Sequence, residues 1–287
     1  MTGAVAGVLY DGFAYGMLLF LLSVGLSVTL GTMNFVNLAH GSFAMVGGYV
    51  AVTLMNRLNW PFLAALPAAF VSAALISMVL ERVLFRRFYR ASDLDQCLLT
   101  IGIVFVSIAS AAYLFGTQQE AVRIPDWLAG SYVVGAQTFG IYRLFLIVVA
   151  LALAALLVGA LEFTRFGAKV RAAVDNQRMA RGLGVDVDRA FALTFALGGG
   201  LAGLGGALAI ELVGLDHNFA FTYLIYVLIV VSVGGLGSIG GSFVAAALLG
   251  VSTVAGEYWA PQTGSFLIYF IMVAILAARP SGLFGKR

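Results

Sequence analysis

The chain has 287 residues, of which 62% are hydrophobic and only 10% charged. Soluble domains carry about 25% charge, so this composition excludes a water-facing globule. The net charge of +3 is small, and no basic stripe with interleaved aromatics marks a nucleic-acid surface.

A membrane-crossing helix needs about 20 mostly apolar residues. In chain order the sequence predicts such segments at 9–31, 42–57, 61–80, 96–115, 140–162, 190–212, 221–236, 243–257 and 263–279. The first lacks a basic leader and a small-residue cleavage site, so it reads as a retained span. The pairs 9–57 and 221–257 are interrupted by Gly- and Asn-rich breaks, and each is either a full hairpin or a re-entrant pair. The expected fold is an all-α polytopic integral membrane protein of eight to nine helices or segments. It forms one domain over residues 1–287. The single Cys97 reads as a small core residue.

Charge sets the orientation. Thirteen of the 16 Lys and Arg fall in three clusters, Arg82–Arg90, Arg165–Arg189 and Arg279–Arg287. Loops on the cytoplasmic side collect basic residues in this way. An even number of crossings must separate the second and third clusters, so the segment 221–257 crosses twice or not at all. The same count puts the N-terminus outside and the C-terminus inside. The loop 116–139 then lies outside, with Glu120 and Asp126 as solvated acids and Trp127 and Tyr132 near the membrane boundary. Trp60 and Trp259 fall at the same predicted level.

Two features interrupt the apolar pattern. Gly198, Gly199, Gly200, Gly203, Gly205 and Gly206 crowd one predicted helix. In water each would cost about 1 kcal/mol relative to Ala; in a bilayer small residues let backbones approach closely. The other feature is the pair of breaks, Asn34–Phe43 and Gly234–Phe243, which both end in Gly-Ser-Phe. Irregular backbone at membrane depth survives only where protein buries it or water reaches it. Asn34, Asn37, His40 and Ser42 in the first break, and Gly234, Gly235, Gly237 and Ser238 in the second, are therefore candidates to line a translocation path. Asn34 and Asn37 also suit caps for open backbone groups. His40 has two readings: a neutral ring bonded to a carbonyl freed at the break, or a residue acting in transport. His217, beside Asp216, reads as a solvent-facing loop residue. The histidines offer no metal-site spacing.

The basic segment 163–190 predicts a short cytoplasmic helix over 168–181, with Ala172, Met179 and Ala180 as apolar contacts. Arg171, Asp175 and Arg178 recur at helical spacing. Gly182 and Gly184 end it, and Asp186 or Asp188 caps the next span. Such an element is either a docking helix for a cytosolic partner or a solvated connector.

The runs Asn37-Leu38-Ala39-His40-Gly41 and Gly47-Gly48-Tyr49 resemble the N-terminal signature of branched-chain amino acid ABC transporter permeases, in particular the smaller, H-type subunit. Leu80-Glu81-Arg82, Thr100-Ile101-Gly102, the loop from Arg171 to Phe195, and Gly234-Gly235-Leu236-Gly237-Ser238 match in order. The resemblance implies an importer permease of the bacterial inner membrane that pairs with a second, similar permease. It implies two cytosolic ATPases, which hold ATP and Mg, and a periplasmic solute-binding protein. This chain has no phosphate-binding loop of the G-x-x-x-x-G-K-[ST] form, and the resemblance gives it no cofactor and no catalytic residue. The coupling helix maps to roughly Arg171–Gly184, so Arg171, Asp175, Asn176, Arg178, Met179, Arg181 and Gly184 are the expected ATPase contacts. The sequence departs from the family at Leu215–Asn218, at Ile225–Val227 and at Thr253. Hydrophobic amino acids are the expected solutes, with amides, urea and aromatic carboxylates as alternatives. The competing class is a proton- or sodium-driven transporter with His40 as relay.

Overall fold

The computed structural model describes residues 2–285 except Asn34, Val36, Arg90 and Ala136. Helix α1 (Thr2–Met33) is followed by α2 (His40–Val52), which runs on through one π-helical turn, Thr53–Arg57. Helix α3 (Phe62–Leu80) also ends in a π-helical turn, Glu81–Phe85, and then a short α4 (Arg86–Phe88). Next come α5 (Asp93–Phe115), α6 (Asp126–Ala129), strands β1 (Ser131–Val134) and β2 (Gln137–Gly140), and α7 (Ile141–Phe163). Two small helices, α8 (Arg165–Asp175) and α9 (Gln177–Gly182), precede α10 (Val187–Val213). The chain closes with α11 (Phe219–Gly234), α12 (Ile239–Trp259) and α13 (Gly264–Ala278).

Six of these helices are long and apolar enough to cross a membrane: α1, α3 with its extension, α5, α7, α10 and α12. The apolar α11 and α13 are shorter. The protein is thus a helical, polytopic membrane protein. The loop 116–139 adds an element absent from an all-α reading. Its strands pair antiparallel from Ser131↔Gly140 to Val134↔Gln137, with Tyr132 stacked on Phe139.

Helices α1 and α10 form the buried centre. Lipid tails are as apolar as leucine, so close backbone contact must hold such helices together. Small residues provide it. Gly25 meets Gly198, Gly47 meets Gly203, and Gly206 meets Ala44; Gly12 and Gly16 seat Val251, Ala246 and Ala247 of α12. A methyl group at any of these glycines would overlap backbone or abut it closely. The glycines of α10 are therefore packing residues, pressed against α1, α2 and α3.

The two ends differ in charge. At one end Asp188 pairs with both Arg86 and Arg181, the latter at 2.9 Å. That end also holds the turn at Gly237, packed on Gly31, and the tail 282–285. At the other end Asp11 pairs with Arg143 at 2.6 Å, and Glu120 bridges to Leu215. The described members of the three basic clusters thus gather at one end, whereas Arg57, Arg123 and Arg143 lie at the other.

The pairs left open by the sequence resolve differently. Helices α11 and α12 form a hairpin whose turn sits at the basic end. Gly235 and Gly237 have φ of 100° and 79°, which glycine adopts freely. The tail caps this turn, since Leu283 N donates to Val233 O at 2.8 Å and Phe284 N to Gly234 O at 3.1 Å. In the first pair, α2 starts inside the protein beside the middle of α1. Cys97, expected in the core, is half-buried on α5, which has few neighbours. His217 is half-buried in its loop: Nδ1 is enclosed, while Nε2 lies 3.1 Å from Nδ2 of the exposed Asn218.

Gly206→Leu and Gly25→Leu should lower thermal stability in detergent by about 1–3 kcal/mol through overpacking. Gly102→Leu, whose side chain meets open space, should change little. A midpoint for Gly206→Leu equal to that of Gly102→Leu would contradict the packing role.

Candidate functional site

The first break is wrapped by protein. Phe35, Asn37, His40 and Ser42 are each at most 3% exposed. In such surroundings an unpaired polar group is costly, so each finds a partner. Asn37 Oδ1 accepts from Ala39 N at 3.1 Å, closing the local turn that starts α2. His40 Nε2 lies 3.0 Å from the carbonyl oxygen of Leu22. That carbonyl belongs to the interior of α1, not to the break, so the expected partner is corrected while the bond type stands. Ser42 Oγ lies 2.6 Å from Ser107 Oγ on α5. Asn34, the fourth candidate, lies outside the described residues.

The second break is a different object. Ser238 caps α12 by accepting from Gly241 N at 3.0 Å, and Gly234 packs on Gly241. The two breaks do not converge. Gly41 touches Ala220 near the start of α11, whereas Gly234 ends that helix. Gly234 lies fourteen helical steps beyond Ala220, about 21 Å at 1.5 Å per step.

The basic segment 163–190 is also two pieces instead of one helix over 168–181. Asn176 takes an extended conformation, φ −157°, and its Oδ1 caps α9 by accepting from Met179 N at 2.9 Å. An Asn side chain competes with helical backbone bonding, which explains the break. It also separates Arg178, on α9, from Arg171 and Asp175, which keep their helical spacing on α8. Arg171 instead donates to the Leu161 carbonyl at the end of α7. Ala173 and Ala180 pack with Val187 and Phe191, but Met179 points outward and is 63% exposed. Gly184 ends the unit with φ 79°, and Asp186 caps α10 by accepting from Arg189 N at 2.9 Å. Asp188 does not cap; it makes the ion pairs described above. The outer face of α8–α9 therefore presents Asp175, Asn176, Arg178, Met179, Arg181 and Leu183.

Glu81 and Tyr89 have no counterpart in the pattern-based reading. Glu81 is 2% exposed, and its Oε1 accepts from Tyr89 Oη at 2.5 Å. Burial, and then the bond to Glu81, push the Tyr89 phenol above its ordinary pKa. Its ring meets Phe35 edge-on at 5.6 Å and Phe191 at 6.2 Å. The signal in the sequence was the Glu81 itself, an acid placed just inside a basic cluster.

Comparison with known proteins fits this geometry. The model of the family described as "Branched-chain amino acid transport system / permease component" matches residues 8–276. The chain belongs to this permease family. It is similar to the high-affinity branched-chain amino acid transport system permease protein LivH of Escherichia coli (strain K12), at 26% identity over 97% of this chain and 94% of that protein. The probable branched-chain amino acid transport permease protein LivH of Methanocaldococcus jannaschii is 28% identical, over 97% of this chain and 92% of its own. The permease protein LivM of the same Escherichia coli strain is 26% identical over 93% of this chain and 68% of its own.

In this permease His40 joins α2 to α1 as a hydrogen-bonding group. His40→Gln keeps a donor without titrating near neutral pH. It should assemble and retain stability, whereas His40→Leu should lose about 1–3 kcal/mol through the lost buried bond. Unfolding midpoints of the two purified variants test this; equal midpoints would remove the structural role.

Proposed function

We propose that this permease is a membrane-spanning subunit of an ABC importer that takes up branched-chain or other hydrophobic amino acids. The family match over residues 8–276 carries the reading. Relatives of both the LivH and the LivM kind match the chain, which supports pairing with a second homologous permease. Two cytosolic subunits bind ATP and Mg and dock on α8–α9, a role supported by the exposed Met179 and Leu183 among charged neighbours. A periplasmic solute-binding protein docks at the opposite end. The chain sits in the bacterial inner membrane with its basic end in the cytoplasm, N-terminus out and C-terminus in. It crosses in nine segments, counting α2, α11 and α13. ATP-driven closure of the ATPases pushes α8–α9 and switches access along a path past Asn37, His40 and Ser42, with the Gly234–Ser238 turn at its inner end. The contact of His40 with a backbone carbonyl fits a structural residue better than a proton relay.

Two measurements test this. A reporter active only in the periplasm, fused to the C-terminus, should stay silent; strong activity would reverse the orientation. A photocrosslinker at Met179, in the complex purified with its partners, should capture an ATP-binding subunit. Capture of lipid or permease alone would remove the docking role, because Met179 is the most outward apolar side chain of α9.

A further inference from the structure

The proposed docking of ATPases leaves a question that the packing answers: how a push on α8–α9 reaches the first break. The two small helices bury Ala173 and Ala180 in a cluster with Val187 and Phe191. Met33 and Tyr89 flank that cluster. Tyr89 also touches Phe35, which lies between α1 and α2, and Phe35 packs on Phe85 at 5.4 Å and on Phe195 at 6.2 Å. One ring thus borders both the docking element and the break. It is not held by packing alone. Its hydroxyl donates to Glu81, at the first residue of the π-helical turn that ends α3. Such turns are irregular points in a helix and often sit at functional places.

We infer that Tyr89, tethered by Glu81, is the positioning residue that carries displacement of α8–α9 to the Phe35–Asn37 break. This rests on the proposed docking of ATPases at α8–α9. A dense core moves in discrete rearrangements and does not deform smoothly. With the tether in place, the Tyr89 ring cannot turn aside when Ala173 and Ala180 press on Phe191 and on it. The displacement then passes to the edge of Phe35. Without the tether the ring keeps its volume but can rotate, and the push is absorbed at the cluster. Glu81 supplies the fixed end, since α3 is locked against α10 by Ser77 Oγ donating to Phe195 O at 2.8 Å and by Ala73 packed on Gly203.

The test uses the full complex with its ATPases in proteoliposomes and needs no transported solute. Spin labels are placed at Met179 or at Leu38 in a Cys97→Ala background, and spectra are compared without nucleotide and with ATP trapped by vanadate. In the parent chain both labels should respond. Tyr89→Phe should keep the response at Met179 while the population shift at Leu38 falls by about tenfold, within the usual range of coupling between sites. Glu81→Gln, with Tyr89 kept, retains an acceptor for the phenol and should preserve the response at Leu38. Tyr89→Phe removes the hydrogen bond to the buried Glu81 and can weaken assembly. The double variant Glu81→Leu with Tyr89→Phe removes both partners, which is close to neutral for folding, and should be uncoupled in the same way. A normal response at Leu38 in the double variant would overturn the inference. So would a parent chain that responds at Met179 and not at Leu38. A parent chain silent at Met179 would instead overturn the docking on which the inference rests.

Discussion

The close seat of α10 among α1, α2 and α3 is the constraint on which the other contacts depend. Gly198, Gly203 and Gly206 place their backbone directly against Gly25, Gly47 and Ala44. No side chain larger than hydrogen fits at these points, so the helices lock at fixed levels along one another. That register decides what faces what at the basic end. It brings Phe191 and Phe195, on the first turns of α10, onto Tyr89 and Phe85. It also sets Asp188 between Arg86 and Arg181. A shift of α10 by one turn would move its start about 5.4 Å and separate all of these groups.

The ion pairs and the apolar cluster at that end play unequal parts. Arg86, Arg181 and Asp188 are each about half exposed in their side chains, and such pairs are worth about 0–1 kcal/mol. They orient α9 and do little to hold it. The burial of Ala173, Ala180, Val187 and Phe191 does the holding. The small size of the two alanines keeps that seat shallow.

Most spans were legible because a bilayer demands long apolar runs, and Phe62–Leu80, Asp93–Phe115, Ile141–Phe163 and Val187–Val213 each begin and end within about three residues of the expected limits, as helix ends usually do. The gathering of basic clusters at one end was legible for the same reason. The segment 163–190 was misread because helical periodicity over 168–181 says nothing about Asn176, whose side chain favours a cap over a continuing helix. Pairs such as Arg86 with Asp188, 102 residues apart, leave no local signature. Glu81 and Tyr89 are eight residues apart and meet across a π-helical turn, a spacing outside the three- and four-residue pattern of regular helices. The likeness of the two Gly-Ser-Phe breaks misled in another way. Local sequence matched, but one became a buried return into the protein and the other a turn capped by the tail.

That difference bears on how the molecule changes shape. The turn at Gly235–Ser238 is closed by bonds to its own neighbours and to the tail, which tie it to the ends of α11 and α12. The first break instead divides its polar bonds between two helices. His40 is tied to α1, and Ser42 is tied to α5. Helix α5 also packs through Tyr49 stacked on Phe115 at 4.2 Å, Phe105 at 6.4 Å from Phe221, and the buried Val104 and Ala111, while much of its surface is exposed. Movement of α5 relative to α1 therefore has to exchange the Ser42–Ser107 bond for another, and a serine hydroxyl can do this by rotating, as donor or acceptor. The His40 bond has no such freedom, because the ring is enclosed on all sides. The start of α2 is thus bonded through the enclosed His40 to α1 and through the rotatable hydroxyl of Ser42 to α5.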